Sequence, residues 1–187
     1  CPLYIKTSEG TELRVAGVID RVDTYEKAGK RYLRIIDYKS GAKEFVLDDL
    51  YYGLNLQMML YLLMAWKNGR GKYDGVIPAG ILYFRANDTS PSLERDADAD
   101  AVESARHAQY RMSGILLDDE TSLRAMEQDL KGVFIPCEQM PDGSYTKASR
   151  LMDLQSLGRL KGYTDQLLEE MARSLLSGEI EARPVSG

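Results

Sequence analysis

Two short segments constrain this chain more than any other: Gly17-Val-Ile-Asp20-Arg21-Val-Asp23 and Ile36-Asp37-Tyr38-Lys39-Ser40-Gly41. Each places charge at the end of an apolar run with the alternation of a β-strand. Residues two apart on a strand share a face, so Leu33, Ile35, Asp37 and Lys39 line one side of the second segment. That side begins apolar and ends in a carboxylate and an ammonium. In the first segment Ala16, Val18, Asp20 and Val22 share a face, and Asp20 is its only charge. An acid in such a row is costly unless something pairs with it.

The two segments are joined by residues 24–30, a polar stretch containing Ala28-Gly29 that reads as a hairpin turn. With the turn centred between Ala28 and Gly29, residues whose numbers sum to 57 face each other, and Asp20 and Asp37 satisfy that sum. Opposed side chains lie roughly 5 Å apart at Cβ. Two carboxylates at that spacing repel, and a divalent cation between them turns the repulsion into attraction, with Lys39 projecting to the same side. This is the layout of a hard-metal, phosphate-handling site. A bulge or a one-residue slip in the hairpin breaks the pairing.

Along the chain, residues 11–23 and 31–39 read as two antiparallel strands. Residues 46–67 read as a long helix, with Leu50, Leu54, Gln57, Met58, Tyr61, Leu62 and Ala65 at helical spacing, and Asn68-Gly69 as its stop. Residues 75–85 alternate like a strand in which Pro78 marks an edge or a bulge. Residues 86–103 are polar and acidic and read as a loop leading into a helix. Residues 104–132 read as two short helices around residues 114–119, residues 133–148 as a small hairpin around Pro141-Asp-Gly143, and residues 151–177 as a helix stopped by Gly178. The order β-β-α-β followed by helices predicts an α/β fold with a mixed central sheet flanked by helices.

The ordered motifs resemble the RecB-type branch of the PD-(D/E)XK nucleases: Gly-x-x-Asp-Arg-x-Asp, then Asp37-Tyr-Lys39, then Gln57-x-x-x-Tyr61. Tyr51-Tyr-Gly-Leu-Asn-Leu-Gln57, Pro78-Ala-Gly-Ile-Leu-Tyr-Phe84, Tyr110-Arg-Met-Ser-Gly-Ile-Leu-Leu117 and Gly178-Glu-Ile-Glu-Ala-Arg-Pro184 are similar to the C-terminal nuclease domain of the B subunit of bacterial AddAB/RexAB helicase–nucleases. The likeness spans nearly the whole chain. It implies a restriction-endonuclease-like core across residues 1–187, read as one nuclease domain cut from a larger subunit. It also implies metal-dependent hydrolysis of a DNA strand fed by a partner helicase, in double-strand-break repair and recombination.

On that resemblance Asp20 and Asp37 hold Mg²⁺ (with Mn²⁺ or Ca²⁺ able to substitute), the Tyr38 carbonyl is a further ligand, and Lys39 positions water or steadies phosphoryl charge. Gln57 approaches the active site, and Tyr61 lies near the DNA backbone. Arg21 is a candidate DNA contact, although it points to the opposite strand face from Asp20 and has Asp23 as an alternative partner. The partners implied are DNA and a helicase–nuclease A subunit in a heterodimer. Family members hold a 4Fe-4S cluster on one upstream and three downstream cysteines. Cys1 and Cys137 are the only cysteines here, so no cluster is expected in this stretch. Members often add a Glu or His ligand from a helix before the first strand; residues 1–11 do not read as such a helix, and Glu9 and Glu12 are poor substitutes.

Each candidate also has a plainer role. Lys39 on an edge strand guards against mispairing, Gln57 and Tyr61 fit an amphipathic boundary, His107 fits a surface helix, and Met58, Met59 and Met64 fill core space. Cys137 reads as an inert thiol, and the acidic run 94–103 as a solvated face. A net charge of −5 weighs against a dedicated nucleic-acid binder, yet residues 1–45 hold nine Lys/Arg against seven Asp/Glu. With no disulfide framework, no apolar run of membrane-spanning length and no leader, a cytoplasmic setting is expected. Two other readings stand beside the nuclease: a non-cutting DNA-holding or docking module of the same fold, and an unrelated magnesium-dependent phosphatase, which lacks a phosphate-cradling glycine loop.

Overall fold

The computed structural model describes residues 2–8, 10–41, 45–68, 73–86, 98–179 and 181. The chain divides into two compact units. The first comprises Cys1–Val18, Val46–Gly75 and Gln155–Gly187, and the second Ile19–Phe45 and Val76–Leu154.

In the first unit, strands β1 (Leu3–Lys6) and β2 (Glu12–Val15) pair antiparallel with Leu3 opposite Val15. The expected strand over 11–23 is therefore two strands in two different sheets. Residues 16–20 carry no ladder, and Val18, expected on an apolar face, is 81% exposed. A side chain at Gly17 would press on Tyr61, its Cβ lying 3.2 Å from the ring. The expected helix over 46–67 is also split, into α1 (Leu47–Tyr51) and α2 (Gln57–Asn68). Gly53 and Asn55 adopt left-handed backbone (φ +73° and +54°), and the Asn55 side-chain amide bonds the Asp49 carboxylate. A helix cannot run through such residues.

The second unit is built on a five-stranded sheet. Strands β3 (Arg21–Lys27), β4 (Lys30–Lys39) and β5 (Ile77–Arg85) stand in that order, β3 antiparallel and β5 parallel to β4. After helix α3 (Ala99–Tyr110), β6 (Ser113–Leu117) pairs antiparallel with β5. After helix α4 (Glu120–Met126), β7 (Leu151–Met152) closes the sheet parallel to β6. Helix α5 (Leu154–Leu176) then returns the chain to the first unit. The mixed sheet with helices is the fold class read from the sequence. β4 lies inside the sheet, between β3 and β5, and most of its residues are buried or half-buried.

Two details fix the sheet. Ala28 and Gly29 both have positive φ (52° and 73°) between Lys27 and Lys30, the geometry of a tight two-residue hairpin turn. The β4–β5 register shifts between Leu33 and Arg34, opposite Pro78 and Gly80, which is the bulge the proline suggests. Residues 113–117, expected at the break between two helices, form a strand, and Gly114 lets β6 approach β5 closely; a Cβ there would lie 2.0 Å from the Ile81 carbonyl oxygen.

One face of this sheet packs Ile36, Leu82, Leu116, Leu123, Leu130, Ile135 and Cys137 into a core. Burial pushes the Cys137 thiol up, consistent with an inert packing residue. Buried Glu127, which no sequence motif singles out, accepts hydrogen bonds from the amides of Val133, Phe134 and Ile135 and so anchors that loop. Residues 139–145 form a turn held by a bridge between Gln139 and Tyr145. Of the acidic stretch 86–103, residues 87–97 lie outside the described residues, as do Cys1, Glu9 and Lys43.

Alanine in left-handed backbone is strained where asparagine is not. Ala28→Asn should therefore stabilise the protein by about 1 kcal/mol, raising the thermal midpoint by about 2–4 °C. Calorimetry checks this; an unchanged or lowered midpoint would count against the turn geometry.

Candidate active site on β3 and β4

The hairpin register pairs Arg21 with Ile36 and Lys27 with Lys30, which is the alignment read from the turn. One further step places Asp20 against Asp37. The chain bends at Asp20 before β3 begins, and the ladder is taken over by a side chain: Asp20 Oδ2 accepts the Tyr38 amide at 2.9 Å. Asp20 is thereby tied to the backbone next to Asp37. The link between the two segments survives although the apolar row expected around Asp20 does not form.

Asp37 is only 3% exposed. Its Oδ2 forms an ion pair with the Lys39 ammonium and accepts no hydrogen bond from any described group. The contact between side chains two apart on β4 shows that both project from one face. Tyr83, the register partner of Asp37 on β5, completes this side, with Lys39 Nζ 5.3 Å from its ring centroid.

The opposite face carries a separate network. Asp23 accepts from Arg21 Nε at 2.8 Å and from Arg34 Nε and Nη2 at 2.8 Å. Arg21 also donates to the Tyr38 hydroxyl at 3.5 Å, and Tyr38 packs edge-on against Phe84. Partial burial raises the Asp23 pKa, but the hydrogen bonds and charges of Arg21 and Arg34 outweigh it and leave the carboxyl below its usual range. The Asp23 hydrogen bond, with Tyr38, holds the Arg21 guanidinium above its ordinary value. Arg21 thus has the Asp23 partner that competes with a DNA contact, while its side chain stays about half exposed.

Gln57 and Tyr61 belong to the first unit, at the start of α2, where Gln57 Nε2 donates to the Tyr61 hydroxyl at 2.8 Å. Tyr61 is buried and Gln57 exposed. Tyr83 enters the sequence reading only as part of a strand pattern. It becomes findable once β4 and β5 are paired in parallel, because it then falls beside Asp37.

The donor chemistry fits a hard divalent cation. Among the described residues no group of three or more His, Cys, Asp or Glu gathers as ligands. Magnesium characteristically binds through one or two carboxylates and keeps several waters. A buried carboxylate oxygen with only an ammonium as partner also suits a cation. Glu12 sits exposed on β2 of the first unit.

Residues 3–186 match the PD-(D/E)XK nuclease superfamily. The B subunits of bacterial ATP-dependent helicase/deoxyribonucleases are similar in sequence: that of Acetivibrio thermocellus is 33% identical over 186 residues, that of Ruminiclostridium cellulolyticum 33% over 186 and that of Clostridium tetani 34% over 187. Each match covers 98% of this chain and 16% of the relative, so the chain spans about one-sixth of their length.

Because the Asp23 carboxyl has a lower pKa folded than unfolded, its stabilisation is complete well above the unfolded value near 3.9 and fades as pH falls through the folded value. Asp23→Asn should be less stable than wild type by about 1 kcal/mol at pH 7, and the gap should close as pH drops below about 4. Denaturant midpoints across pH test this; a gap constant down to acid would refute the assignment.

Proposed function

Because the chain belongs to the PD-(D/E)XK nuclease superfamily, we propose that it hydrolyses phosphodiester bonds of DNA at the site built on Asp20, Asp37 and Lys39. The observation that carries this reading is the buried Asp37–Lys39 pair joined through the Tyr38 amide to Asp20. Asp20, Asp37 and the Tyr38 carbonyl would hold Mg²⁺, with Mn²⁺ or Ca²⁺ as substitutes in binding. Bound there, the ion lowers the pKa of a water and polarises a phosphoryl oxygen.

The chain's own groups do the positioning. Burial fixes the Asp37 carboxylate in one orientation, and the Tyr38 amide fixes Asp20. Lys39 leans against the Tyr83 ring and presents a cation where negative charge develops on the phosphoryl group, the kind of pre-arranged electrostatics that favours the transition state. Gln57 is assigned a catalytic role, and Arg21 and Tyr61 contacts with DNA, on the family resemblance.

The relatives' names support a place in a helicase–nuclease assembly. We assign the domain an exonuclease action on a strand fed by a helicase, with a helicase–nuclease A subunit as partner, in double-strand-break repair and recombination in the cytoplasm. Among the described residues no helix is long and apolar enough to cross a membrane. That no group of three or more His, Cys, Asp or Glu gathers among the described residues favours one second reading, a DNA-holding or subunit-docking domain that does not cut.

Digestion of end-labelled DNA by the intact protein separates the two. Wild type should cut only with added Mg²⁺, and Asp37→Asn and Lys39→Gln should each lower the rate at least 1,000-fold, of the order expected when a developing charge loses its preorganised partner. Equal digestion by wild type and Asp37→Asn would remove the catalytic assignment.

A further inference from the structure

A cavity of about 360 Å³ opens in the second unit beside the Asp37–Lys39 pair, and its charged lining consists of Arg85, Arg111 and Arg150. Among the described residues no Asp or Glu lines it. Among the described residues none of the three arginines forms an ion pair, in contrast to Arg21, Arg34 and Arg124. In a chain of net charge −5, three arginines gathered with no carboxylate among the described lining residues are a local exception. Arginine is the side chain best suited to phosphate, because its planar fork matches two phosphoryl oxygens.

The position of the cavity identifies the phosphate. Tyr83 is at once part of the cavity wall and the ring beneath Lys39 Nζ. Arg85 is the register partner of Lys39, as Tyr83 is of Asp37. Register partners on neighbouring strands project to the same face, so the arginine cavity and the acidic pair share one side of the sheet. The cavity is also built rather than incidental. Arg150 Nη1 donates to the Phe45 carbonyl at 2.7 Å, and the Phe45 amide donates to Ser113 Oγ, another wall residue, at 2.8 Å. Arg111 runs past Gly132, where a Cβ would lie 3.4 Å from its Nη2.

We propose that Arg85, Arg111 and Arg150 form a subsite for a backbone phosphate of the DNA strand next to the one being cut. The assignment rests on reading the chain as acting on DNA. The subsite holds the strand by charge without reading bases, as expected of a protein that tracks a single strand irrespective of sequence. Lys39 and Arg85, adjacent across β4 and β5, then contact successive phosphates.

The salt dependence of binding tests this directly. With the intact protein in EDTA, binding of a fluorescent oligothymidylate is measured from 50 to 300 mM salt. For single strands the slope of log K against log salt is about −0.7 per neutralised phosphate. Arg85→Gln/Arg111→Gln should bind about tenfold more weakly and lose about 0.7 of slope, whereas Arg85→Lys/Arg111→Lys, which keeps the charge, should keep the slope. Unchanged slope and affinity in the glutamine variant would overturn the proposal. So would an effect confined to competition by millimolar inorganic phosphate, which would make a free phosphate ion the occupant. These outcomes are independent of cleavage: if wild type cut no DNA with Mg²⁺, the nuclease reading would fail while the slope still reported on the cavity.

Discussion

A carboxylate buried at the end of an apolar strand is the constraint on which the rest of the second unit depends. Asp37 follows Ile35 and Ile36 in the interior of the sheet and is 3% exposed. Removing such a group from water costs several kcal/mol unless a counter-charge accompanies it. Lys39, two residues on, supplies that charge from the same face. Had stability alone shaped the position, an apolar residue would serve at least as well. A carboxylate held there is better explained by a charge that arrives with substrate, and a divalent cation beside a phosphate is the partner such a pair suits.

Around this pair the sheet separates two electrostatic jobs by face. One face of β4 carries Asp37 and Lys39, with Tyr83 from β5 beneath the ammonium. The other carries Arg21, Asp23 and Arg34 in a set of hydrogen bonds centred on Asp23, which stiffens the β3–β4 hairpin without drawing on Asp37 or Lys39. The bend at Asp20 transfers one carboxylate from the ladder to the Tyr38 amide. Two sets of charges thus sit within a few residues of each other without cancelling.

The hairpin was legible in the sequence because a tight turn dictates its own register: once Ala28-Gly29 is centred, Arg21 must meet Ile36, as it does. The shared face of Asp37 and Lys39 followed from period-two alternation. The extent of the first strand was not legible, because Ala16-Gly-Val-Ile19 has strand composition while Gly17 is claimed by packing against Tyr61. Likewise the helical spacing from Leu50 to Ala65 continues across Gly53 and Asn55, whose left-handed backbone ends α1. The strand at Ser113–Leu117 was not legible, because a short apolar run beside Gly114 reads equally as a break between helices. Its identity depends on β5, a partner distant in sequence. The three cavity arginines, at 85, 111 and 150, converge only through the order β5-β6-β7, which no local pattern encodes.

The central claim is that Asp20 and Asp37 share one divalent ion. A crystal of the protein grown with Mn²⁺ and measured at the manganese edge tests it most directly. The account predicts one anomalous peak in contact with carboxylate oxygens of both residues, lost in Asp37→Asn. A peak bound elsewhere, or one that touches only one of the two acids, would contradict it.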